Sequence, residues 1–293
     1  MSDVTASAGS GVADVRESAG AMVAPGAATT SDMGKTPCMA RPLVTTEDAD
    51  MSSAVSESGA GKVSDMPDVL GAARAAAMPT LILFTRVPRA GQAKTRLIPA
   101  LGEHGAAEFQ WRLLERLLEE LRHGAEQGLW RLRVYYCGTQ GLERLRSMAG
   151  EGVVFVEQAD DADLGVRMRV AFERELGAGA PAVGLMGSDL PEATTDIVAE
   201  ALGLLKDLAI DVSLCPVEDG GYWFVGLKRP FPQLFEGTTY GGSSVFEDAV
   251  AACAVHGRTV ATGPRLRDVD TPEDLAWFED WAAGSGVRAA LAV

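Results

Sequence analysis

From Pro79 to about residue 285, short apolar runs alternate with longer segments in which apolar residues recur every three or four positions. The run TLILFTR, Thr80–Arg86, precedes a loop that contains Pro and Gly, and it predicts a buried strand. Between residues 103 and 124, a four-residue spacing predicts the apolar face of an amphipathic helix. The members of that face are Phe109, Leu113, Leu117 and Leu121, with Leu114 and Leu118 beside them.

The same alternation continues to the end of this region. Strands are predicted at 132–138, 153–157 and 182–189, as a pair around a turn within 211–227, and near 258–262. Helices are predicted at 164–177, at 194–208 with Thr194 or Thr195 as N-cap, at 243–257, and from Pro272 onward. Strands that alternate with helices of this length indicate an α/β fold. We expect a mostly parallel sheet with helices on both faces, in one domain spanning residues 78–285.

The two ends of the chain have a different composition. Residues 1–77 contain no aromatic residue and are rich in Ala, Gly and Ser, so they cannot bury enough apolar surface to offset chain entropy. We interpret them as a disordered, low-complexity tail, and residues 286–293 as a flexible C-terminus. Met78 directly precedes the first strand, so the tail is interpreted as either an overcalled start or a dispensable extension.

Composition narrows the range of partners. A formal charge of -15 and a pI near 4.7 argue against nucleic acid or an anionic membrane as a partner, because the protein repels polyanions. Four widely spaced cysteines form no C-x-x-C motif, and neither a secretory signal nor a membrane-length apolar run is found. We therefore expect a cytoplasmic protein with reduced thiols.

One loop departs from this acidic composition. The stretch FTRVPRAGQAKTRL, residues 84–97, carries four cations, and no Asp or Glu occurs between residues 79 and 102. We call residues 86–96 the basic loop. Gly91 allows close approach of the backbone to a ligand, and Lys94, Thr95 and Arg96, with Arg86, offer donors for phosphate oxygens.

The basic loop is not a P-loop, since Pro88 and Ala93 stand where that motif needs glycine. A solvated basic turn that pairs with nearby carboxylates is the alternative. Local charge favours phosphate binding, and the acidic chain makes a small anion the expected ligand.

Carboxylates follow several of the predicted strands. Asp189, in GSDLP, suits a ligand of Mg²⁺ or Mn²⁺, although for this residue taken alone an Asx-turn before Pro191 is slightly favoured. Glu218 and Asp219, in EDGGYWFVGL, lie at the tip of a predicted hairpin, where either is a candidate catalytic base.

The segment RDVDTPEDLAWF combines a helix start with two further carboxylates. Thr271, Pro272 and Asp274 fit the N-cap, N1 and N3 positions of a helix. Asp268 and Asp270 are left over, and they suit a second metal contact. Because ligands gather at the carboxyl ends of parallel strands, the basic loop and these carboxylates together predict a metal–nucleotide site.

The order of these motifs resembles a bacterial transferase family of the glycosyltransferase-A (GT-A) superfamily. Its members are described as radical-SAM/selenodomain-associated transferases or arsenosugar-biosynthesis glycosyltransferases. The resemblance covers residues 79–280 and rests on five segments taken together: FTRVPRAGQAKTRL, DLGVRM, GSDLP, EDGGYWFVGL and RDVDTPEDL.

The resemblance implies a GT-A fold that binds a nucleotide or nucleotide-sugar donor with Mg²⁺ or Mn²⁺, and a small-molecule acceptor. Lys94 and Arg96 match the family's presumed phosphate contacts, and Asp189 its presumed metal ligand. Asp268 and Asp270 match the D-x-D-T-P-E-D segment. The D-G-G-Y segment on the acceptor side is matched by Asp219, Gly220, Gly221 and Tyr222.

The sequence departs from the family pattern at three places: the first change keeps the charge, and the other two concern the acceptor and the contacts to the nucleotide base rather than the fold. Arg86 stands where the family often has Lys, Tyr240 stands near the position of a Trp, and ADDA replaces a glycine-containing turn.

Three functions follow as hypotheses. Glycosyl transfer is favoured over nucleotidyl transfer, which a K-x-R-L loop shared with 2-phospho-L-lactate guanylyltransferase keeps open, and both are favoured over a non-catalytic nucleotide binder.

Overall fold

The computed structural model describes residues 77–158 and 162–285. The predicted tail, apart from Ala77, and the predicted flexible C-terminus lie outside the described residues. The strands are β1 (Thr80–Arg86), β2 (Arg131–Cys137), β3 (Val154–Glu157), β4 (Val183–Met186), β5 (Val212–Pro216), β6 (Tyr222–Leu227) and β7 (Val260–Thr262). The α-helices are α1 (Ile98–Glu126), α2 (Leu142–Ala149), α3 (Leu164–Gly177), α4 (Thr195–Gly203), α5 (Val245–Val255) and α6 (Pro272–Ser285).

The seven strands form one sheet in the order β3-β2-β1-β4-β6-β5-β7. The pairs β1–β2, β1–β4, β2–β3 and β5–β7 are parallel, whereas β6 is antiparallel to both β4 and β5. The predicted mostly parallel sheet is therefore confirmed. The carboxyl ends of the parallel strands and the hairpin between β5 and β6 lie along the same edge of the sheet.

Strand β1 lies inside the sheet because its side chains are apolar on both faces. Leu81 and Leu83 belong to one apolar layer, which includes Leu114, Leu117 and Leu118 of α1. Ile82 and Phe84 face the opposite layer. A strand buried on both faces is expected to be a continuous apolar run, which is the pattern that predicted it.

Two helices differ from the sequence prediction. Helix α1 begins at Ile98 rather than near residue 103, and Gly102 interrupts its geometry with φ 71° and ψ 169°. Pro99 suits the first turn because a helix needs no backbone donor there. Helix α2 was not predicted. It has only eight residues, and Leu145 and Ala149 are its only buried members, so its apolar periodicity is too short to recognise.

The predicted helix caps are confirmed. The Thr194 side chain accepts a hydrogen bond from the backbone N–H of Ile197 at 3.4 Å. At the start of α6, the backbone N–H of Thr271 donates to Asp274 at 2.8 Å and that of Asp274 donates to Thr271 Oγ1 at 3.3 Å. This reciprocal pair is a capping box, and it fixes the chain immediately after residues 268–270.

A third apolar cluster joins the basic loop to the segment before α6. Leu97 directly follows the basic loop, Val269 stands between Asp268 and Asp270, and both Leu97 and Val269 are fully buried. They pack with Phe109 and Phe278, whose ring centroids lie 5.4 Å apart in an edge-to-face arrangement. Burial of Val269 anchors the segment from beneath, while the aspartates on either side of it line the cleft described below.

Two other predictions concern thiols and membranes. Cys137, Cys215 and Cys253 are free thiols, as expected, while Cys38 lies outside the described residues. Within residues 77–158 and 162–285, no helix has the length and apolar character needed to cross a bilayer.

Candidate active site

A cleft of about 570 Å³ opens along the carboxyl edge of the sheet. The basic loop and the turn after β4 form part of its wall. The β5–β6 hairpin and the segment before α6 complete this wall, and the start of α3 and residues 240–242 also line the cleft. The predicted site residues that line it are Arg86, Lys94, Thr95, Arg96, Asp189, Asp219, Gly221, Tyr222, Asp268 and Asp270.

Lys94 is the best-defined cation of the site. Its Nζ lies 2.7 Å from Asp270 Oδ1 and 3.1 Å from Asp189 Oδ1, and its side chain is only 4% exposed. Burial alone lowers the pKa of the ammonium, but the charges of Asp189 and Asp270 and their hydrogen bonds outweigh burial and raise the pKa. Lys94 is therefore a permanent cation held between two carboxylates.

Asp189 is positioned by the turn that follows β4. Its backbone carbonyl accepts a hydrogen bond from the N–H of Val269 at 3.2 Å, which ties this turn to the segment before α6. Ser188 Oγ lies 3.4 Å from Asp189 Oδ1 and also accepts from Thr85 Oγ1 and Gln110 Nε2, each at 3.2 Å. The Asp189 carboxylate is thus linked through Ser188 to a buried polar network that includes side chains of β1 and α1.

Asp268 lies in an excess of negative charge. Burial, followed by the neighbouring charges of Asp219 and Asp270, raises its pKa to about 6, against smaller opposing effects that include Lys94. One ammonium is shared among several carboxylates. This arrangement is unfavourable for folding alone and is typical of a site that binds a cation.

These residues fit a hard divalent cation that binds together with phosphates. In the described part of the chain, no three His, Cys, Asp or Glu side chains are grouped as a complete metal site. Mg²⁺ is usually bound by one or two carboxylates, several waters and substrate phosphates. Asp189 and Asp270, brought together around Lys94, supply that smaller set of oxygen ligands, with Asp268 beside them.

The β5–β6 hairpin separates the two acidic candidates for the base. Asp219 lines the cleft, and its Oδ1 accepts a hydrogen bond from the N–H of Gly221 at 2.9 Å. Glu218 does not line the cleft, and its carboxylate lies 3.5 Å from Arg267 Nη1. The structure therefore brings Asp219 to the site and directs Glu218 to an ion pair beside it.

The two remaining predicted glycines serve the backbone rather than the cleft. Gly220 has φ +91°, and a Cβ there would lie 1.9 Å from the carbonyl oxygen of Ser243, so the hairpin packs directly against the chain before α5. Gly91 has φ +74° in a turn whose N–H groups at Gln92 and Ala93 donate to Arg89. Neither Gly91 nor Gly220 lines the cleft.

Three other residues of the basic loop line the cleft, and their side chains have no recorded polar partner in the part of the chain that the structure describes. Arg86, Thr95 and Arg96 are exposed and line the cleft. Neither arginine forms an ion pair with a described carboxylate. In a chain this acidic, two unpaired guanidinium groups beside a cleft are available to an incoming anion.

Sequence reasoning missed the polar residues that support the site. Gln110 occupies a buried position on α1, and the polar side chain in that apolar stripe was a usable signal. Arg267 stacks on Trp277 at 4.9 Å and binds Asp274 at 2.9 Å, so it braces the segment before α6. Its partners are distant in the sequence or lie across a turn, so no local sequence pattern predicts these contacts.

Two tyrosines that lie close together form another part of the cleft wall. Tyr222 Oη and Tyr240 Oη lie 3.4 Å apart, and both residues line the cleft. Burial raises the pKa of both phenols. Tyr240 stands where the resemblance led us to expect Trp, so an aromatic side chain is present at that position.

The chain is similar to a bacterial protein family and to a solved bacterial structure. Residues 120–242 match a family described as "Uncharacterized protein conserved in bacteria (DUF2064)". A crystal structure from Desulfovibrio desulfuricans G20, a "putative nucleotide-diphospho-sugar transferase", is 30% identical with a TM-score of 0.63. The alignment covers 73% of this chain and 92% of that one. The chain belongs to the same family as the Desulfovibrio protein.

Two further solved structures show a weaker similarity to this chain. A 4-diphosphocytidyl-2C-methyl-D-erythritol synthase from Anaerococcus prevotii DSM 20548 is 8% identical with a TM-score of 0.46, over 70% of this chain and 96% of that one. A manganese complex of Rv0371c from Mycobacterium tuberculosis H37Rv is 18% identical with a TM-score of 0.40, over 70% and 100%. With TM-scores below 0.5, these likenesses carry no weight for activity. No curated protein sequence matches the chain.

Proposed function

We propose that the protein is a metal-dependent, nucleotide-using transferase that moves a sugar from a nucleoside-diphosphate sugar to a small-molecule acceptor. One observation carries the proposal. The cleft places the ammonium of Lys94 between the carboxylates of Asp189 and Asp270, with two unpaired arginines beside them. Family membership with a nucleotide-diphospho-sugar transferase candidate agrees with this chemistry.

The donor's diphosphate would lie against the basic loop. Lys94, Thr95 and Arg96 offer donors to its oxygens, and Arg86 extends the same positive surface. These groups stabilise the charge that grows on the leaving diphosphate as the glycosidic bond breaks, which is the role expected of prepositioned cations. Mg²⁺ or Mn²⁺, held by Asp189 and Asp270 with Asp268 nearby, would supply further neutralisation of that charge.

Asp219 is the residue that we assign as base for the acceptor hydroxyl. Its carboxylate is exposed in the cleft and is oriented by the N–H of Gly221. Glu218 pairs with Arg267 outside the cleft, which leaves Asp219 as the better placed of the two adjacent carboxylates. Tyr222 and Tyr240 line the acceptor side, where their rings and hydroxyls suit a polar molecule with apolar faces.

The test is a turnover assay on the full chain with Mn²⁺. Sugar nucleotides and nucleoside triphosphates are each offered with a set of hydroxylated and phosphorylated acceptors, and release of nucleoside diphosphate or of pyrophosphate is measured. We expect nucleoside diphosphate from a sugar nucleotide. Pyrophosphate release from a triphosphate, with every sugar nucleotide inert, would replace glycosyl transfer by nucleotidyl transfer. Absence of both products would contradict the proposal.

Adjacent hairpin residues provide a matched control for the base. Asp219→Asn should lower kcat by at least about a hundredfold, since general base catalysis contributes factors of that order. Glu218→Gln removes the same charge one residue away and should change kcat by less than about threefold, because Glu218 does not line the cleft. If both variants lost the same factor in kcat, the loss would reflect the removal of a negative charge near the cleft, and Asp219 would not be the base.

A further inference from the structure

We infer that Lys94 is the resident counter-ion of the acidic site, and that a divalent metal binds Asp189 and Asp270 only by displacing its ammonium. The inference rests on the proposed function for the identity of the metal and donor. It adds a consequence for binding. Metal and donor phosphates should bind cooperatively, because the phosphates give Lys94 a new anionic partner when it leaves the carboxylates.

The geometry makes the two cations competitors for the same atoms. Lys94 Nζ contacts Asp270 Oδ1 at 2.7 Å and Asp189 Oδ1 at 3.1 Å, so one oxygen of each carboxylate is already engaged. Mg²⁺ binds oxygen at about 2.0–2.1 Å and demands near-octahedral geometry. A second cation at that distance from both oxygens would lie against the buried ammonium, where mutual repulsion is strong.

The backbone shows that this placement of Lys94 is built into the loop. Lys94 has φ 47° and ψ 48°, and it is the only non-glycine residue with positive φ in the described part of the chain. A left-handed conformation is strained for a residue with a side chain, so the surrounding structure must hold Lys94 in it. The N–H of Leu97 donates to the carbonyl of Lys94 at 2.8 Å, and burial of Leu97 holds the turn in place.

Charge balance explains why Lys94 is needed before a ligand arrives. Four carboxylates line this part of the cleft, and Lys94 is the only cation in contact with any two of them among the described residues. Without an ammonium or a metal, like charges would repel one another across a partly buried site. Lys94 therefore stabilises the ligand-free protein and weakens binding of metal alone.

Donor phosphates would reverse this preference. They add anionic oxygens for the ammonium and further ligands for the metal, while Asp189 and Asp270 become available. Coupling of this kind is reciprocal, so metal should tighten donor binding by the same factor as donor tightens metal binding.

The deciding experiment measures Mn²⁺ binding to the nucleotide-free full chain by electron paramagnetic resonance of free Mn²⁺. Lys94→Met keeps length and apolar stem but removes the charge, and it should bind Mn²⁺ at least about tenfold more tightly than wild type. Lys94→Arg keeps the charge and should stay within about threefold of wild type. Arg96→Gln removes an exposed cation that touches neither carboxylate, and it should gain less than about threefold.

A second neutral variant guards against misfolding. Lys94→Asn suits the left-handed backbone better than Met, since Asn tolerates that region, and it should show the same gain. Calorimetry with UDP, GDP and CDP as probes, corrected for metal–nucleotide complexes in solution, measures the coupling. Mn²⁺ should tighten binding of at least one diphosphate to wild type by a larger factor than to Lys94→Met.

The outcomes separate this inference from the proposed function. Folded Lys94→Met and Lys94→Asn proteins that bind Mn²⁺ no more tightly than wild type would overturn the inference, even if sugar transfer is observed. A gain in Mn²⁺ affinity with no turnover of any donor would uphold the displacement of Lys94 and count against the transferase.

Discussion

Two carboxylates of the same domain, both shielded from solvent, have opposite electrostatic surroundings. Glu175 of α3 is 6% exposed, accepts a hydrogen bond from Tyr135 Oη at 2.8 Å, and has Arg133 Nε at 3.6 Å. Asp268 is partly buried beside Asp219 and Asp270, and Lys94, the one ammonium that the described residues bring close to this group, is shared with Asp189. One carboxylate is compensated by its own partners, while the other is left short of positive charge.

The difference separates a structural carboxylate from a binding one. A buried charge with partners of its own contributes to a unique packing of helix on sheet, and its neighbours are satisfied without a ligand. A cluster with too few cations costs stability and recovers it only when a cation arrives. Its position at the carboxyl edge of the sheet, in the same cleft as two arginines that have no ion pair among the described residues, supports the binding role that we propose for the second arrangement.

The largest effect should come from removing a metal ligand. Asp189→Asn keeps the shape of the side chain and its place in the turn, but removes the charge that Lys94 contacts and that we propose binds the metal. We expect turnover to fall by about a hundredfold to a thousandfold, the range found when one electrostatic contact to the leaving group is lost. Steady-state kinetics measures this, and circular dichroism confirms the fold. Undiminished kcat would remove Asp189 from the site.

The compensated carboxylate should matter for stability instead. Glu175→Ala leaves Arg133 and Tyr135 without their buried partner and should lower the free energy of unfolding by about 3 kcal/mol. Glu173→Ala, on the exposed face of the same helix, removes a surface pair with Arg169 and should cost less than about 1 kcal/mol. Urea denaturation measures both. If both variants lost a similar amount of unfolding free energy, the buried carboxylate would matter no more for stability than the exposed one.

The uncompensated cluster should become more stable when a charge is removed. Because the pKa of Asp268 is raised to about 6, its ionisation costs folded-state stability as pH rises from about 4 to above 6. Asp268→Asn should therefore raise the free energy of unfolding at pH 7.5, by about 1 kcal/mol after allowance for solvent screening. The difference should shrink as pH falls below 6 and vanish below about pH 3, where the carboxyl is protonated in both the folded and the unfolded state. A destabilised variant at pH 7.5 would contradict this assignment.

An exposed, compensated carboxylate gives the smallest effect. Glu108 accepts two hydrogen bonds from Arg144, at 2.9 and 3.1 Å, and these bonds hold its pKa below the usual range. Glu108→Gln should cost about 0.5 kcal/mol at pH 7, because solvent screens the pair. The cost should disappear as pH falls through that lowered pKa. If Glu108→Gln lowered the free energy of unfolding by more than about 2 kcal/mol, solvent exposure would not explain why some carboxylates of this protein contribute little to stability.

The fold was predictable where periodicity and caps agree. Continuous apolar runs predicted strands such as β1, and the capping box at Thr271 predicted the start of α6. The interior of the site was less accessible. Lys94 and Asp270 are 176 residues apart, and nothing local indicates that Lys94 adopts a left-handed conformation and points to carboxylates. Only folding separates Glu218 from Asp219, because neighbouring hairpin residues face different sides.

The central claim is that the cleft binds a nucleotide and a divalent metal together. We would measure the thermal stability of the full chain with nucleoside triphosphates and sugar nucleotides, each with Mn²⁺ and with EDTA. A ligand at about a hundred times its dissociation constant should add roughly 2.7 kcal/mol to the free energy of unfolding. The account predicts a rise with at least one sugar nucleotide that depends on Mn²⁺ and is lost in Asp189→Asn. No rise with any nucleotide, or a rise unaffected by EDTA, would contradict it.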